Sequence, residues 1–290
     1  MADRGHTIDF GFDEFVGARM IQADQDVDPK GMRVVQSLVD DHVCGSAVYH
    51  HSTASTNSDA LNELTQGKVT QDHLPRLYIA DRQTAGRGRQ GNTWLSSDDA
   101  LTFSLTVAFD LLAADRRGLL SLAAGLATAR AIEFLFAPVR AYLKWPNDVY
   151  LAGGKVAGVL IETNQATRDR VVIGIGVNIN EQPKIDTLGA ASPQSLFSAT
   201  GRMATRFGLL DPIVRELVEV VASIEESPSE VLAEFRSRCY LTNKLITFRD
   251  RGVDNEGTVE GIADDGALLV RTLEGLRRCD SGEVRLVRLR

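Results

Sequence analysis

The sequence is poor in cysteine, and its few cysteines follow no recognisable pattern. Cys44, Cys239 and Cys279 lie far apart in the 290 residues, and no CxxC pair occurs. This usage predicts a reducing compartment and small buried side chains, and it argues against a disulfide framework or a zinc site. The five histidines also lack metal-ligand spacing, so we assign no metal ligand to the protein itself.

A signal peptide and a membrane span are also missing from the sequence pattern. The N-terminus has no basic stretch followed by an apolar one. The most apolar segment, Leu119 to Phe136, is interrupted by Arg130 and Glu133, which predicts a packed helix rather than a membrane span. We therefore expect a cytoplasmic protein without a membrane partner.

Excess positive charge is lacking as well. The formal net charge is -7 and the isoelectric point is near 5.3. Such a balance argues against a protein that coats nucleic acid through bulk electrostatics, so we expect no nucleic-acid partner. The hydrophobic share of 43% and the charged share of 24% are ordinary for a soluble globular protein of one large or two smaller domains.

The chain divides into three parts by pattern. Residues 1–45 form an acidic N-terminal extension, of which residues 1–30 are expected to be loosely ordered, with one short helix predicted at Met32–Asp41. Residues 46–241 form the main domain, in which short strands joined by tight turns such as Gly153-Gly154 predict a mixed, largely antiparallel sheet. The fold class is α+β, with helices packed on one face of the sheet. The predicted strands are Val43–His50, Leu77–Ala80, Leu101–Phe109, Arg140–Lys144, Val156–Glu162 and Val171–Ile179, and the predicted helices are Asn57–Gln66, Leu119–Phe136, Pro212–Ile224 and Glu230–Tyr240.

Two details of these elements are testable. Apolar and smaller or polar residues alternate along Leu101–Phe109, which predicts a strand buried on one face only. Ser55 or Thr56 is the predicted N-cap of the helix that follows.

The composition changes near residue 242. Brief β-runs follow one another, separated by turn clusters such as Asp264-Asp265-Gly266. Five short strands in about fifty residues predict a small SH3-like β-barrel over residues 242–290. The predicted strands are Lys244–Phe248, Thr258–Ile262, Ala267–Thr272, Leu276–Cys279 and Val284–Leu289.

A glycine-arginine loop lies at residues 86–94. Arg87 and Arg89 are two residues apart, so in an extended loop both side chains project to one side. Gly86, Gly88 and Gly91 remove the side chains that would keep backbone amides away from a phosphate. The alternatives are a plain surface loop or a fragment of an RGG-type RNA-binding tract. A single copy in an acidic chain, closed by a tryptophan, disfavours the RNA alternative.

Polar residues of a second stretch surround a proline turn and a glycine turn. Lys144 and Asp148 flank Trp145-Pro146-Asn147, and Lys155 opens an apolar strand. Proline excludes a helix interior here and favours an exposed turn. Asn147 carries a donor and an acceptor that suit a purine edge or a ribose. Taken alone, Asn147 is equally well a turn-former, and Lys155 a solvated lysine at a strand start.

The Gly174–Asn178 stretch contains a GxG within a β-run. It lacks the third glycine and the following helix of a dinucleotide-binding loop. The glycines are better explained as positions that leave space beside the sheet for a flat ligand.

Five stretches, in this order and at this approximate spacing, resemble those of the biotin protein ligases, in a short form without an N-terminal DNA-binding domain. The resemblance covers about residues 46–290 and implies the class II synthetase-like catalytic fold of that family. The stretches are Ser55-Thr56-Asn57, Gln83-Thr84-Ala85-Gly86-Arg87-Gly88-Arg89, Lys144-Trp145-Pro146-Asn147-Asp148, Lys155-Val156-Ala157-Gly158 and Gly174–Asn178.

The resemblance implies a two-step reaction. Biotin and ATP, with Mg²⁺, form biotinyl-5′-AMP and pyrophosphate. A lysine of a biotin carboxyl carrier protein, such as that of acetyl-CoA carboxylase, then takes the biotin and releases AMP. A homodimer is compatible with the family. The alternatives are a lipoate or octanoate ligase or transferase of the same superfamily, and a biotin-responsive DNA-binding regulator, for which an acidic extension of about 45 residues is a poor fit.

The resemblance also implies roles for individual residues. The catalytic residues are Lys155, Arg87 and Arg89. One basic residue that is frequent in the family's loop is replaced by Gln90, which predicts a weaker hold on the adenylate or its faster release. The implied biotin-binding residues are Ser55, Thr56, Asn57, Gln83, Arg87, Gly88, Arg89, Lys155 and Gly158, and the implied ATP- or adenylate-binding residues are Gly86, Arg87, Arg89, Trp94, Asn147, Lys155 and Asn178.

Overall fold

The computed structural model of the chain describes residues 20–109, 117–164, 167–183, 193–250, 253–280, 282 and 284–287. It contains two sheets, of eight and five strands. The helices are α1 Pro29–Asp40, α2 Thr56–Thr65, α3 Arg117–Phe136, α4 Leu196–Thr200, α5 Arg206–Glu226 and α6 Pro228–Arg238. The strands of the larger sheet are β1 Ile21–Ala23, β2 Ser46–Thr53, β3 Arg76–Gln83, β4 Leu101–Ala108, β5 Tyr142–Lys144, β6 Asp148–Leu151, β7 Gly154–Asn164 and β8 Thr167–Val177.

The larger sheet is mixed and largely antiparallel, as predicted. Its strand order is β1-β2-β3-β4-β8-β7-β6-β5. The β1–β2 and β2–β3 pairs are parallel, and the other pairs are antiparallel. Strand β6 was not predicted, because its four residues directly follow the proline turn and are too few to show alternation. The long β7–β8 hairpin lies beside β4 in this sheet.

Helices cover both faces of this sheet, so the prediction of helices on one face was wrong. Buried residues of α1, α3 and α5 share one hydrophobic cluster with β2 to β8. Helix α2 packs on the opposite face, where Ala60 and Leu64 meet Val48, Tyr78 and Val172 in a second cluster. In β2, β3 and β8, alternate residues serve the two clusters, as the two-residue period of a strand requires.

The covering of both faces also explains why β4 is buried over nearly its whole length. Ser104 and Thr106 are fully buried although they alternate with the apolar Phe103 and Leu105. The prediction of a half-buried strand was therefore wrong. Alternation correctly separated the two faces, but it did not show that α2 covers the polar one.

Residues 20–45 are part of the folded unit rather than a loose extension. Strand β1 adds an edge to the sheet beside β2, and α1 buries Val35, Leu38 and Val39 in the main cluster. The helix begins at Pro29 after the N-cap Asp28, whose side chain accepts from the Lys30 amide at 2.8 Å. The helix predicted at Met32–Asp41 is thus confirmed, and the poor order expected of the extension is wrong for this part. Residues 1–19 lie outside the described residues.

The N-cap prediction is confirmed, and the predicted hairpin turn lies one residue earlier, at Ala152-Gly153 rather than Gly153-Gly154. Ser55 is the N-cap of α2, although its side chain makes no capping hydrogen bond. Strands β6 and β7 are joined by Ala152 and Gly153, which have φ values of 47° and 79°. Two successive positive φ values are the signature of a two-residue hairpin turn that suits the strand twist.

Helix α5 begins earlier than predicted. Pro212 was expected to open the helix, but the helix starts at Arg206 and contains Pro212 in its second turn. Thr205 caps it by accepting from the Gly208 amide at 3.1 Å. Burial of Phe207, Leu209 and Leu210 against the core stabilises the additional turn.

Helix α3 is apolar on nearly all sides because it crosses the interior. Residues Gly118–Phe136 are long and apolar enough to span a membrane, but 72% of that segment is buried within the protein. The helix contacts α5, α6 and β7, which agrees with the packed helix predicted from Arg130 and Glu133.

The C-terminal sheet is antiparallel with the order β12-β11-β10-β9-β13. All five predicted strands are present. Trp145 joins this sheet to the larger one, because its Nε1 donates to the Gly266 carbonyl at 2.9 Å. Closure of this sheet into an SH3-like barrel, and the domain boundary near residue 242, stay predictions. The strands are β9 Leu245–Asp250, β10 Val253–Ile262, β11 Leu268–Thr272, β12 Gly275–Cys279 and β13 Val284–Leu286.

Candidate active site

One large cleft runs between the glycine-arginine loop and the β7–β8 hairpin. Its volume is about 1380 Å³. The start of α2 lines one end and the β5–β6 turn lines the other, and residues of the C-terminal sheet form part of the wall. All the residues predicted from the sequence to bind biotin line this cleft, and so do all those predicted to bind the nucleotide except Gly86. The fold thus brings together stretches that lie more than one hundred residues apart in the chain.

The end at α2 is a closed network of polar side chains. The Thr56 amide and hydroxyl donate to Gln83 Oε1 at 2.8 and 3.2 Å. The Thr56 hydroxyl also lies 2.7 Å from the hydroxyl of Ser104, which in turn donates to Asn57 Oδ1 at 2.5 Å. The parallel β2–β3 pairing produces this arrangement, because it places Gln83 opposite the residues just before α2.

Both polar atoms of the Asn57 side chain make hydrogen bonds within the protein. Besides accepting from Ser104, it donates from Nδ2 to Glu162 Oε2 at 2.9 Å. Only glycine fits opposite it, because a Cβ on Gly174 would lie 2.1 Å from Asn57 Oδ1. Asn57 therefore shapes this end of the cleft.

The glycine-arginine loop folds back on itself over the cleft. The backbones of Arg87 and Thr93 pair in an isolated antiparallel β-bridge. The Gly88 amide donates to the Asn92 carbonyl at 2.7 Å, and the Trp94 amide donates to the Gly86 carbonyl at 3.0 Å. A side chain at Gly86 would lie 2.6 Å from the Trp94 carbonyl oxygen. The loop turns at Gln90, which has a φ of 56°.

The two loop arginines reach different parts of the cleft. Arg87 donates to Glu162 and, at 3.1 Å, to the Ser58 hydroxyl, both near α2. Arg89 points to the other end, where Nη1 lies 3.5 Å from Asn147 Oδ1. The prediction that both project to one side assumed a regular extended chain. A short 3-10 turn at Arg89–Gly91 breaks that regularity.

Burial lowers the pKa of Arg89, and the negative charge of Asp148 partly offsets this effect. An arginine in this position stays charged, because a guanidinium is not deprotonated in proteins. The partial removal of Arg89 from water makes it a stronger partner for an anion than an exposed arginine would be.

Lysines and a carboxylate form the other end of the cleft. Lys155 Nζ lies 2.5 Å from Asp148 Oδ1, and Lys144 Nζ lies 3.9 Å from Asp148 Oδ2. The β6–β7 pairing places Asp148 opposite Gly158, and the Lys155 side chain folds over that glycine. Asn147 is fixed beside them, since Nδ2 donates to the Val159 carbonyl at 2.8 Å.

Trp94 fills the space above the strand glycines. A Cβ on Gly176 would lie 2.3 Å from Trp94 Cε2, and one on Gly158 would lie 3.2 Å from Cζ3. Lys155 Nζ lies 5.6 Å from the centre of the indole ring, a cation–π distance. The glycines do leave room for a flat group, but the group is a side chain of the protein, so the expectation of a flat ligand directly on them was wrong.

Two buried polar atoms in the cleft lack a protein partner among the described residues. They are Trp94 Nε1, a donor, and Asn178 Oδ1, an acceptor. The Asn178 side-chain nitrogen is used structurally, because it donates to the Gln194 carbonyl at 3.1 Å. Buried polar atoms without partners are costly, so each of these two is a candidate contact for a ligand.

Comparison with known proteins places the chain in a family. Residues 49–178 match the Biotin/lipoate A/B protein ligase family, and residues 243–287 match the Biotin protein ligase C terminal domain. The chain is 33% identical over 228 residues to a biotin–[acetyl-CoA-carboxylase] ligase of Mycobacterium tuberculosis, covering 74% of this chain and 79% of that protein. The chain belongs to the biotin protein ligase family.

Further relatives agree with membership of the biotin protein ligase family. The bifunctional ligase/repressor BirA of Bacillus subtilis is 31% identical over 255 residues, which cover 84% of this chain and 75% of that protein. Among solved structures, a biotin protein ligase from Aquifex aeolicus in complex with biotin and ATP superposes with a TM-score of 0.71 at 27% identity. It covers 84% of this chain and 99% of that one.

Sequence reasoning on this ligase missed several residues that the structure brings into the site. Ser104 and Glu162 hold Asn57. Asp148 was named in the sequence, but its contact with Lys155 was not predicted. Tyr240 and Lys244 enter from the linker to the C-terminal sheet, with Lys244 Nζ 3.2 Å from the Tyr240 ring centre. The Lys-x₃-Asp spacing of Lys144 and Asp148 was visible in the sequence, but nothing in it indicated the other contacts.

Proposed function

We propose that this chain is an ATP-dependent biotin protein ligase, which forms biotinyl-5′-AMP from biotin and ATP and then transfers biotin to a lysine of a carrier protein. The observation that supports this best is the order of polar, apolar and charged groups along one cleft. It has a polar, hydrogen-bonded pocket at one end, apolar walls in the middle and a group of cations at the other. Biotin has the same order of groups, with a ureido ring, an apolar tail and a carboxylate.

Biotin lies along β7 and β8 in this proposal. The ureido ring occupies the end formed by Ser55, Thr56 and Gln83, where fixed hydroxyl and amide groups satisfy its polar atoms. Asn57 holds this pocket together and lines it. Gly158 leaves room for the side chain of Lys155, which meets the carboxylate of biotin, and Gly88 gives the apolar tail a close approach from the loop above.

Lys155 and Arg89 act on the reacting atoms. The biotin carboxylate and ATP are both anionic, so they repel each other until fixed cations neutralise them. Negative charge also builds on the α-phosphoryl oxygens in the transition state, and a preorganised donor there contributes about 3 kcal/mol. Lys155, 2.5 Å from Asp148 in the free enzyme, moves from this carboxylate to the phosphate oxygens when the anionic substrates arrive.

The nucleotide occupies the remaining space beside the loop. Trp94 offers an indole face, and Asn147 and Asn178 offer polar atoms to the base and ribose. Gly86 permits the close return of the chain at Trp94. Arg87 completes the set by fixing the loop over the intermediate, so that the loop keeps water from the hydrolysable anhydride.

Mg²⁺ enters this scheme with ATP. The described residues contain no group of three His, Cys, Asp or Glu side chains that could hold a metal ion, and Asp148 is engaged by lysines. Mg²⁺ commonly binds through one or two carboxylates and substrate phosphates, which is compatible with this cleft. When bound, the ion would neutralise charge on the phosphates.

The partners follow from the same proposal. The acceptor is a biotin carboxyl carrier protein such as that of acetyl-CoA carboxylase, and the enzyme acts in the cytoplasm. We expect no binding to nucleic acid, in keeping with the net charge of -7. A homodimer is allowed by the family.

Transfer of labelled biotin tests the proposal. The purified chain is incubated with labelled biotin, Mg-ATP and an apo-carrier protein, and the label on the carrier is measured after electrophoresis. We expect label that depends on both ATP and the acceptor lysine. An unlabelled carrier, in a reaction where a known ligase labels it, would contradict the proposal.

Two alternatives are distinguished by binding measurements. A lipoate ligase would bind lipoate more tightly than biotin in calorimetry. A DNA-binding regulator would shift a DNA fragment in a gel at physiological salt. We expect tight binding of biotin alone and no gel shift.

A further inference from the structure

Glu162 joins two parts of the cleft that are far apart in sequence. One carboxylate oxygen accepts from Asn57 Nδ2 at 2.9 Å, and the other accepts from the Arg87 guanidinium. Asn57 belongs to the wall of the biotin pocket, and Arg87 belongs to the loop that covers it. The Glu162 side chain is only 19% exposed, so its charge is partly shielded from water.

The position of Glu162 along β7 separates this contact from the reacting atoms. Glu162 lies four residues after Gly158, over which Lys155 folds. At about 3.3 Å per strand residue, the two positions are about 13 Å apart. While Arg87 is paired with Glu162, its guanidinium is therefore held at the α2 end of the cleft and away from Lys155.

The loop has side-chain attachments to the body at both ends of the cleft. Arg87 reaches Glu162 and Ser58 at one end, and Arg89 lies near Asn147 at the other. The second attachment is long, at 3.5 Å, whereas the first involves two opposite charges. The Glu162 contact is thus the stronger of the two in the free enzyme.

We infer that Glu162 is a positioning residue, which latches the glycine-arginine loop closed over biotin and its adenylate by holding Arg87. This inference rests on the proposed function. Glu162 does not touch the reacting atoms. It sets how long the loop stays closed, and therefore how long the intermediate stays bound before transfer to the carrier.

The latch predicts a specific kinetic signature. In Glu162→Gln the charge is lost, and the ion pair to Arg87 becomes a neutral contact. A partly exposed ion pair contributes about 1 kcal/mol, which corresponds to a change of about five-fold in a dissociation rate. We expect biotinyl-5′-AMP to leave Glu162→Gln about five-fold faster than the wild type, and Ser58→Ala to change this rate about two-fold in the same direction.

The experiment measures the release of preformed adenylate and, separately, its transfer. Enzyme loaded from biotin and Mg-ATP is freed of small molecules and chased with unlabelled biotin, and the bound label is followed with time. A parallel sample is mixed with excess apo-carrier, and the single-turnover transfer rate is recorded. Release should accelerate while transfer stays within two-fold of the wild type. A general structural defect would slow transfer and lower the unfolding temperature as well.

Two further variants make the test specific to the Arg87 contact. Glu260→Gln removes the same charge from an exposed pair with Arg271 in the C-terminal sheet, and it should release adenylate at the wild-type rate. In an Arg87→Ala background, Glu162→Gln should add less than two-fold, because the partner is already gone.

Equal release from Glu162→Gln and wild type would overturn the latch, and so would additive effects of Glu162→Gln and Arg87→Ala. Failure of the proposed function would look different. In that case the wild type itself would form and hold no adenylate from biotin and Mg-ATP.

Discussion

Lys155 is the residue on which the proposed chemistry most depends. It lies at the cation-rich end of the cleft, 2.5 Å from Asp148 and beside Trp94. Asp148 keeps the ammonium group in place before the substrates arrive, and Lys144 on its other side limits how strongly the carboxylate holds either lysine. The position is therefore preorganised for an anion that carries more charge than one carboxylate.

Replacing this ammonium group should slow the first half-reaction selectively. In Lys155→Ala we expect adenylate formation at least about 100-fold slower, because one preorganised donor to the transition state is lost. Biotin-dependent release of pyrophosphate measures this step. Lys68→Ala, an exposed lysine after α2, is the matched control and should behave as the wild type. Normal pyrophosphate release by Lys155→Ala would refute the assigned role.

Gly176 leaves the space in which the indole ring of Trp94 lies. Alanine at this position would place a methyl group 2.3 Å from the indole ring, so the ring must move. We expect the dissociation constants for biotin and ATP to rise about ten-fold and the tryptophan fluorescence to change, with little loss of stability. Gly261→Ala, where a Cβ meets nothing within 4 Å, is the control. Unchanged binding by Gly176→Ala would show that the indole is not part of the ligand site.

The sequence named residues that line the cleft, but not the links between them. Ser55, Thr56 and Gln83 were named from two short stretches that resemble those of the family, and the structure brings them together. Glu162 and Ser104 were not named, because their contacts depend on strand register and on the packing of α2. Neither the strand register nor the packing of α2 can be inferred from the order of neighbouring residues in the sequence.

At the scale of elements, a buried arginine ties α2 to the sheet. Arg76 on β3 is only 2% exposed. It donates to Glu63 of α2 at 2.8 Å, to the Tyr78 hydroxyl at 3.0 Å and to the Ser46 hydroxyl at 2.8 Å. Burial opposes ionisation of Glu63, but the hydrogen bonds from Arg76 and Tyr78 outweigh it and lower the pKa of that carboxyl.

Removing the arginine from this network should be costly. We expect Arg76→Met to lower the free energy of unfolding by about 3 kcal/mol, because Glu63 is left partly buried without its cation. Urea denaturation measures the change. Arg271→Met breaks the exposed pair with Glu260 and should cost less than about 1 kcal/mol. Equal effects of the two substitutions would contradict a structural role for the buried pair.

A second ion-pair network connects the helices that cover the other face. Glu234 of α6 accepts from Arg130 of α3 at 2.5 Å and from Arg238 at 2.8 Å. The hydrogen bond from Arg130 is the largest effect and lowers the pKa of Glu234, while burial opposes it.

This shift gives stability a pH dependence of known sign. A carboxyl whose pKa is lower in the folded state stabilises the fold above its ordinary value of 4.5, and that contribution is lost as the pH falls through the folded pKa. In urea denaturation between pH 6 and about pH 3, the stability of Glu234→Gln should therefore fall less steeply than that of the wild type. Glu226→Gln, at the exposed end of α5, should keep the wild-type slope. Parallel curves for wild type and Glu234→Gln would contradict this assignment.

Helices and strands were predicted correctly where the sequence shows a hydrophobic pattern or a capping residue. The predictions were wrong where packing against other elements determines the structure. Helix α3 and the five C-terminal strands follow from apolar runs between turn signals. The start of α5 was predicted too late, because proline is common at the first position of a helix and Pro212 was taken as that position. The helix begins at Arg206, since buried residues before Pro212 extend it. The burial of β4 on both faces was missed because no property of a single strand reveals that a helix covers its second face.

For the whole molecule, the main feature is that the two sheets share one hydrophobic core. Ile246, Phe248 and Val259 of the C-terminal sheet belong to the same cluster as the buried residues of α3 and β7. Trp145, in the β5–β6 turn, donates to Gly266 of the C-terminal sheet. The C-terminal sheet therefore contributes a wall of the cleft as well as stability. The sequence predicted this sheet as a unit but carried no signal of where it docks.

The central claim is that the cleft makes biotinyl-5′-AMP and keeps it until a carrier arrives. The most direct test is rapid measurement of pyrophosphate release with biotin and Mg-ATP in the absence of any carrier protein. We predict a biotin-dependent burst of about one pyrophosphate per chain, followed by turnover that is slower by orders of magnitude. Absence of a biotin-dependent burst, or continued release at the burst rate without a carrier, would contradict the account.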